Sequence, residues 1–209
     1  MNRFIKNLLS IVLFPLKYLL PKKYIIFSGT TNYNYNGNSR YLFEYLSKTS
    51  SYEVYWFTRS EKIKKYLKTN NLGYISYMNP IKLIIYNAMA KIVINDGDNY
   101  FNTFGLSDTK NTYKISLFHG YGPKTTLAVS EDPETKDLRL RRINKFDYVN
   151  FTSNYLADVI SKKVFNLPRE KAVVLGFPRN DDLFNLSKSN DALHKKKLSV
   201  SFFGNKINK

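Results

Sequence analysis

A histidine closes an apolar run and is followed by glycines and a lysine in Phe118-His119-Gly120-Tyr121-Gly122-Pro123-Lys124-Thr125-Thr126. A histidine there can take a proton from an attacking hydroxyl, because its pKa lies near neutral pH. The glycines leave backbone N–H groups free to face a phosphate, and Lys124 can neutralise its charge. The bland alternative is a structural histidine at a turn. The second histidine, His194, sits in a polar, Lys-rich stretch and reads as a solvated bystander.

Two other segments have residue types suited to anions. Ser28-Gly29-Thr30-Thr31-Asn32-Tyr33-Asn34-Tyr35-Asn36-Gly37-Asn38-Ser39-Arg40 runs into a helix start, where free backbone N–H groups favour negative charge. It is neither a Walker loop nor a Gly-x-Gly-x-x-Gly turn, and a simple polar loop is the competing reading. In Gly176-Phe177-Pro178-Arg179-Asn180-Asp181-Asp182, Arg179 can bind phosphate and Asp181 can cap the following helix.

Seven short apolar runs must position these segments: Tyr24–Ser28, Glu53–Thr58, Tyr74–Tyr77, Lys91–Asn95, Tyr113–Phe118, Asp147–Phe151 and Ala172–Leu175. Several are continuous rather than alternating, as strands buried on both faces of a parallel sheet are. Helical patterns separate many of them. Asn38–Lys48 places Tyr41, Leu42, Tyr45 and Leu46 on one face, and Ser60–Thr69 opens on a Ser cap. Pro80–Ala90 follows a capping Asn79, and Ser153–Phe165 follows the sixth run. The alternation predicts a doubly wound, largely parallel, Rossmann-like α/β sheet over residues 23–184. All three candidate segments then lie at carboxyl ends of strands, where such sheets bind ligands. Asp96–Thr112 is the longest loop expected, and long loops in compact domains are often functional.

The 209 residues suit one large domain or two small ones, and 43% apolar content supports a packed core. The absence of cysteine excludes a disulfide framework, a thiolate metal site and a cysteine nucleophile. A formal charge of +17 attracts polyanions: nucleic acid, anionic lipid or a phosphate-rich substrate. The basic residues are spread along the chain without a recognisable nucleic-acid motif, so specific nucleic-acid binding is the weakest reading.

No acidic residue precedes Glu44. Arg3, Lys6, Asn7, Ser10 and Lys17 fall within a polar arc of about 100° on a helix whose other face is Phe4, Ile5, Leu8, Leu9, Ile11, Val12, Leu16 and Leu19. Pro15 kinks it. The run is too interrupted for a transmembrane helix, and Phe14-Pro15-Leu16-Lys17 offers no signal-peptide cleavage site. Residues 1–22 are therefore expected to form an amphipathic helix on an anionic membrane surface. An ordinary helix packed on the domain is the alternative.

The motifs occur in a telling order. Phe27-Ser28 is followed by Asn38-Ser39-Arg40, then Asn87-Ala88-Met89-Ala90-Lys91, then Phe118-His119-Gly120 with Lys124. Phe146-Asp147-Tyr148-Val149 with Thr152-Ser153 comes next, and Gly176-Phe177-Pro178-Arg179-Asn180-Asp181 last. From about Tyr24 to Phe184 the chain resembles the CDP-glycerol glycerophosphotransferase family of teichoic-acid and capsule synthesis. That resemblance implies half of a GT-B-like architecture, acting without a cofactor and without a metal at the donor. It implies transfer of an alcohol phosphate from CDP-glycerol or CDP-ribitol to a polyol-phosphate or glycolipid acceptor, at the cytoplasmic face of the membrane. His119 would be the catalytic base. Gly120, Lys124, Arg179, Asn38 and Arg40 would bind substrate, the first three near the donor pyrophosphate or the growing polymer. In the family a second, donor-binding Rossmann-like domain follows the Pro-Arg motif. Residues 185–209 show no clear strand–helix continuation, so the expectation is a loose tail and a truncated protein, weak or inactive alone. A non-catalytic membrane-surface module that binds anionic polymer or a partner subunit is the other reading.

Overall fold

The computed structural model describes residues 8, 11–29, 34–120, 132–181 and 184. A short helix α1 (Leu16–Leu19) leads into β1 (Tyr24–Ser28), α2 (Gly37–Thr49), β2 (Glu53–Thr58), α3 (Glu61–Thr69) and β3 (Tyr74–Ser76). Next come α4 (Pro80–Ala88), β4 (Ala90–Asn95), β5 (Tyr113–Ser116), α5 (Pro133–Ile143), β6 (Tyr148–Phe151), α6 (Asn154–Lys163) and β7 (Ala172–Val174). All seven strands pair in parallel, in the order β3-β2-β1-β4-β5-β6-β7. The expected Rossmann-like sheet is therefore present, and its strands match the seven apolar runs to within two residues at each end.

β1 reads Tyr-Ile-Ile-Phe-Ser and is buried at every position, because it is central and covered on both faces. Its side chains alternate between two cores. Ile25 and Phe27 join Val54, Trp56, Phe43 and Leu67 under α2 and α3. Tyr24 and Ile26 join Phe57, Leu83, Ile143 and Ala157 under α4, α5 and α6. The helices thus change faces where the strand order reverses, between β1 and β4. This is the topological switch point, at whose carboxyl end ligands bind in such sheets.

Local sequence accounts for most helix starts. Ser60 Oγ accepts from the Ile63 N–H, Asn79 Oδ1 from that of Lys82, and Ser153 Oγ from that of Leu156. Helix α5 was not among the helices read from the sequence, although Asp132-Pro133 is a strong start: Asp132 Oδ1 accepts from Glu134 N–H and Thr135 N–H. The buried face of α2 also differs from the sequence reading. Phe43 is wholly buried, 5.7 Å from the Phe27 ring and 5.4 Å from the Trp56 ring, while Tyr45 is 62% exposed. Leu42 and Leu46 of the expected face do pack against this core, and Phe43 joins them where Tyr45 was expected, because it meets two large aromatics of β1 and β2. Asp181 does not cap the helix after Arg179, because residues 179–181 are already helical.

At the amino end, residues 11–13 are helical, the chain turns at Phe14-Pro15, and α1 follows. Proline cannot donate to the preceding turn, which explains the break. Lys22 Nζ donates to the Ala88 carbonyl at 2.6 Å and the Lys23 N–H to the Met89 carbonyl at 2.9 Å, tying this segment to the end of α4. Among the described residues no helix is long and apolar enough to cross a membrane.

Candidate functional site

A buried polar row closes the carboxyl edge of the sheet. Ser28 and Asn95 are in register across β1 and β4, and Asn95 and Ser116 across β4 and β5. Asn95 Nδ2 donates to the Ser28 carbonyl, Ser28 Oγ and the Gly29 carbonyl at 3.0–3.3 Å. Ser116 Oγ donates to the Gly97 carbonyl at 2.8 Å, and Asn150 Nδ2 to the Gly176 carbonyl at 2.5 Å. Each loop base is thereby tied to a strand end, and the loops above are held in fixed relation.

The loop after β5 carries the histidine. Phe118 takes a left-handed backbone (φ 54°), a conformation costing a non-glycine residue about 1–2 kcal/mol. This turns the chain so that the His119 ring stacks on Phe118, with centroids 4.8 Å apart and planes at 21°. Nδ1 of His119 lies 3.0 Å from the Asp96 backbone carbonyl. A carbonyl oxygen only accepts, so Nδ1 carries the proton and Nε2 of the neutral ring is left as the proton acceptor. The ring is exposed.

Asn38, on the first turn of α2, is wholly buried and brackets two loops. Its Nδ2 donates to the Phe118 carbonyl at 2.6 Å, and its Oδ1 accepts from the Arg179 N–H at 3.4 Å. Arg179 in turn places Nη2 3.9 Å from where a side chain on Gly120 would begin. Its guanidinium lies 5.1 Å from the Phe177 ring, and no carboxylate pairs with it within ion-pair distance among the described residues. Asn38, His119, Gly120 and Arg179, drawn from three separated motifs, therefore converge. Arg40 turns elsewhere: its Nε donates to Glu44 Oε1 at 2.9 Å and its guanidinium lies over the Tyr35 and Tyr41 rings. Lys124 lies outside the described residues.

The sequence reading missed Asp96, the first residue after β4. Its side chain is fully buried, and Oδ1 accepts from both the Ser39 N–H and the Ser39 hydroxyl at 2.8 Å. The carboxylate thus sits at the positive end of α2, the anion position expected from the Ser28–Arg40 segment. Oδ2 is buried with no hydrogen-bond partner among the described residues. Burial pushes the carboxyl up to about 7, against the opposing pull of Ser39's hydrogen bonds and the Arg179 charge. Gly37 is required beside it: φ is 70°, and a Cβ there would overlap Asp96 Oδ2. The available signal in the sequence was a carboxylate directly ending a continuous apolar strand. A cavity of about 560 Å³, lined by Tyr77, Met78, Pro80, Leu83, Asn102, Thr103 and Phe104, lies apart from this cluster.

The profile of the CDP-glycerol:poly(glycerophosphate) glycerophosphotransferase family matches residues 12–202. The chain belongs to that family. It is 24% identical over 187 residues to the teichoic acid poly(glycerol phosphate) polymerase of Staphylococcus epidermidis, covering 82% of this chain and 24% of that protein. Solved structures of the wall teichoic acid polymerase TagF share its fold. One, a histidine-to-alanine variant, superposes with a TM-score of 0.67 at 19% identity, over 95% of this chain and 52% of TagF. Another, a histidine-to-asparagine variant soaked with CDPG, gives 0.67 at 18% identity. The chain thus spans about half the length of these TagF chains and about a quarter of the staphylococcal polymerase.

Proposed function

We propose that this chain supplies the acceptor-side face of a site that transfers glycerol phosphate from CDP-glycerol to an acceptor hydroxyl in teichoic-acid-type polymer synthesis. The observation that carries this reading is the convergence of His119 and Arg179 at the switch point. Nε2 of His119 is left to accept a proton, and a guanidinium with no carboxylate at ion-pair distance among the described residues stands across Gly120. In the proposed step Nε2 takes the proton of the acceptor hydroxyl. That oxygen bonds to the phosphorus bearing the glycerol, and the bond from this phosphorus to the bridging oxygen breaks. CMP leaves with the bonding electron pair. Arg179 stabilises charge on the transferring phosphate, and Asn38 holds the loops of His119 and Arg179 in register. CDP-ribitol would enter the same chemistry and is a competing donor in the assay.

The test is CMP release from CDP-glycerol with a glycerol-phosphate oligomer as acceptor. It is run with this chain alone and with the chain fused to the part of TagF that it does not cover. Turnover is expected at least in the fusion, and His119→Ala should lower it by roughly 10²–10⁴, the range for a lost general base. Unchanged turnover in His119→Ala overturns the catalytic role.

The exposed apolar side chains of the amino-terminal segment support membrane-surface contact as part of this reading. Ile11, Val12, Phe14, Tyr18 and Leu19 are all more than half exposed, and the partly buried Lys17 lies between them in the chain. Such a surface suits an interface of acyl chains and anionic headgroups.

A further inference from the structure

We propose that Asp96 is the proton-linked partner of the phosphate site: it takes up a proton when a phosphate-bearing ligand binds beside Arg179, and releases it when the ligand leaves. The inference rests on the phosphate-binding role given to Arg179 above and assigns that site a coupling it was not given there.

The geometry makes carboxylate and ligand competitors. Among the described residues, the positive end of a 13-residue helix and the Arg179 guanidinium supply positive potential here, and Asp96 draws on both. Only one of its oxygens is satisfied, by Ser39. Oδ2 is buried against Gly37 with no hydrogen-bond partner among the described residues, so the ionised form is held by the two Ser39 hydrogen bonds to Oδ1 and, after them, by the Arg179 charge. An incoming phosphate takes up the Arg179 charge and adds a negative charge of its own to a partly dehydrated corner. Both effects penalise the carboxylate and favour the neutral acid, as for any pair of like charges in one site. As a neutral acid, Asp96 keeps Oδ1 as the acceptor for Ser39, so the start of α2 need not be disturbed.

Few other groups can carry the proton. α2 faces Asp96 with Gly37, Asn38 and Ser39, which do not titrate. The segment after β7 contributes the Arg179 guanidinium. The loop after β5 contributes His119, bonded to the Asp96 backbone, and its imidazole can also take a proton. In the same loop as Asp96, Asp98 has its carboxylate turned to Arg139 and Arg142, each at 3.9 Å. Asp96 and His119 are therefore the two candidates among the described residues, and substitution separates them.

The probe is bis(glyceryl) phosphate, a phosphodiester whose single charge does not titrate near neutrality, so any proton exchanged on binding belongs to the protein. Its dissociation constant is measured by NMR titration of the chain from about pH 6 to about pH 9, where uptake of one proton weakens binding about tenfold per pH unit above neutrality. The expectation is that slope in wild type and in His119→Gln, and a flat profile in Asp96→Asn. Wild-type binding without a pH slope overturns the inference alone, as does a full slope in Asp96→Asn. No binding at any pH overturns the phosphate reading of the Arg179 site as well. If Asp96→Asn does not fold, the Asp96 carboxyl ¹³C shift in wild type decides: the probe must raise its titration midpoint, and an unmoved midpoint refutes the proposal.

Discussion

Replacing Asp96 by Asn should make the protein more stable at alkaline pH, by an amount that follows from the site's geometry. Asn retains an oxygen for the two Ser39 donors and places a neutral group where Oδ2 lies beside Gly37. Burial raises the Asp96 carboxyl from an ordinary 3.8 to about 7. Between those values the folded chain keeps a proton that the unfolded chain has lost. Stability therefore falls as pH rises through this window and levels off above it. The difference is worth about 4 kcal/mol at pH 8, of which roughly 2.5 kcal/mol accumulates between pH 5 and pH 8. The assay is urea denaturation of wild type and Asp96→Asn at several pH values across that range. The variant should gain about 2.5 kcal/mol on wild type from the acid to the alkaline end. Stability curves that run parallel within about 0.5 kcal/mol would refute the claim that an ionised Asp96 strains the folded state.

Three other perturbations test the scaffold and its setting. Gly37→Ala combines a left-handed backbone with overlap on Asp96, and should cost roughly 2–5 kcal/mol, or about 4–20 °C in Tm by calorimetry. A shift under about 1 °C would show that the start of α2 has more room than its geometry implies. Asn38→Ala leaves the Phe118 carbonyl and the Arg179 N–H without their partner, a loss of about 2–4 kcal/mol, and should weaken binding of the phosphodiester probe as the two loops separate. Destabilisation with unchanged probe affinity would reduce Asn38 to a purely structural bond. Finally, the chain should sediment with anionic vesicles, removal of residues 1–20 should release it, and salt should weaken the binding only in part. Equal sedimentation of the shortened chain would exclude the amino-terminal segment as the contact.

Much of the fold was legible because its signals are local. Continuous apolar runs such as Tyr24–Ser28 mark strands covered on both faces, and Ser60, Asn79 and Ser153 announce helices through bonds made within a few residues. Proline at position 15 marks a break in the same way. His119 and Arg179 are legible too, because each lies just beyond the carboxyl end of an apolar run. Helix α5 has an equally local signal in Asp132-Pro133.

Tertiary structure alone decided how the signals combine. Nothing local states that Asn38 will join Phe118, 80 residues on, to Arg179, 141 residues on. Two neighbours on α2 take different partners: Asn38 bonds the Phe118 carbonyl, and Arg40 bonds Glu44. Asp96 shows the limit most clearly. In sequence it is one carboxylate opening a loop. In the fold it lies under the start of α2 with one oxygen satisfied and the other buried. Sequence fixes periodicity and caps because these depend on neighbours in the chain, whereas the potential at a buried carboxyl depends on whichever dipoles and charges the sheet's strand order brings around it.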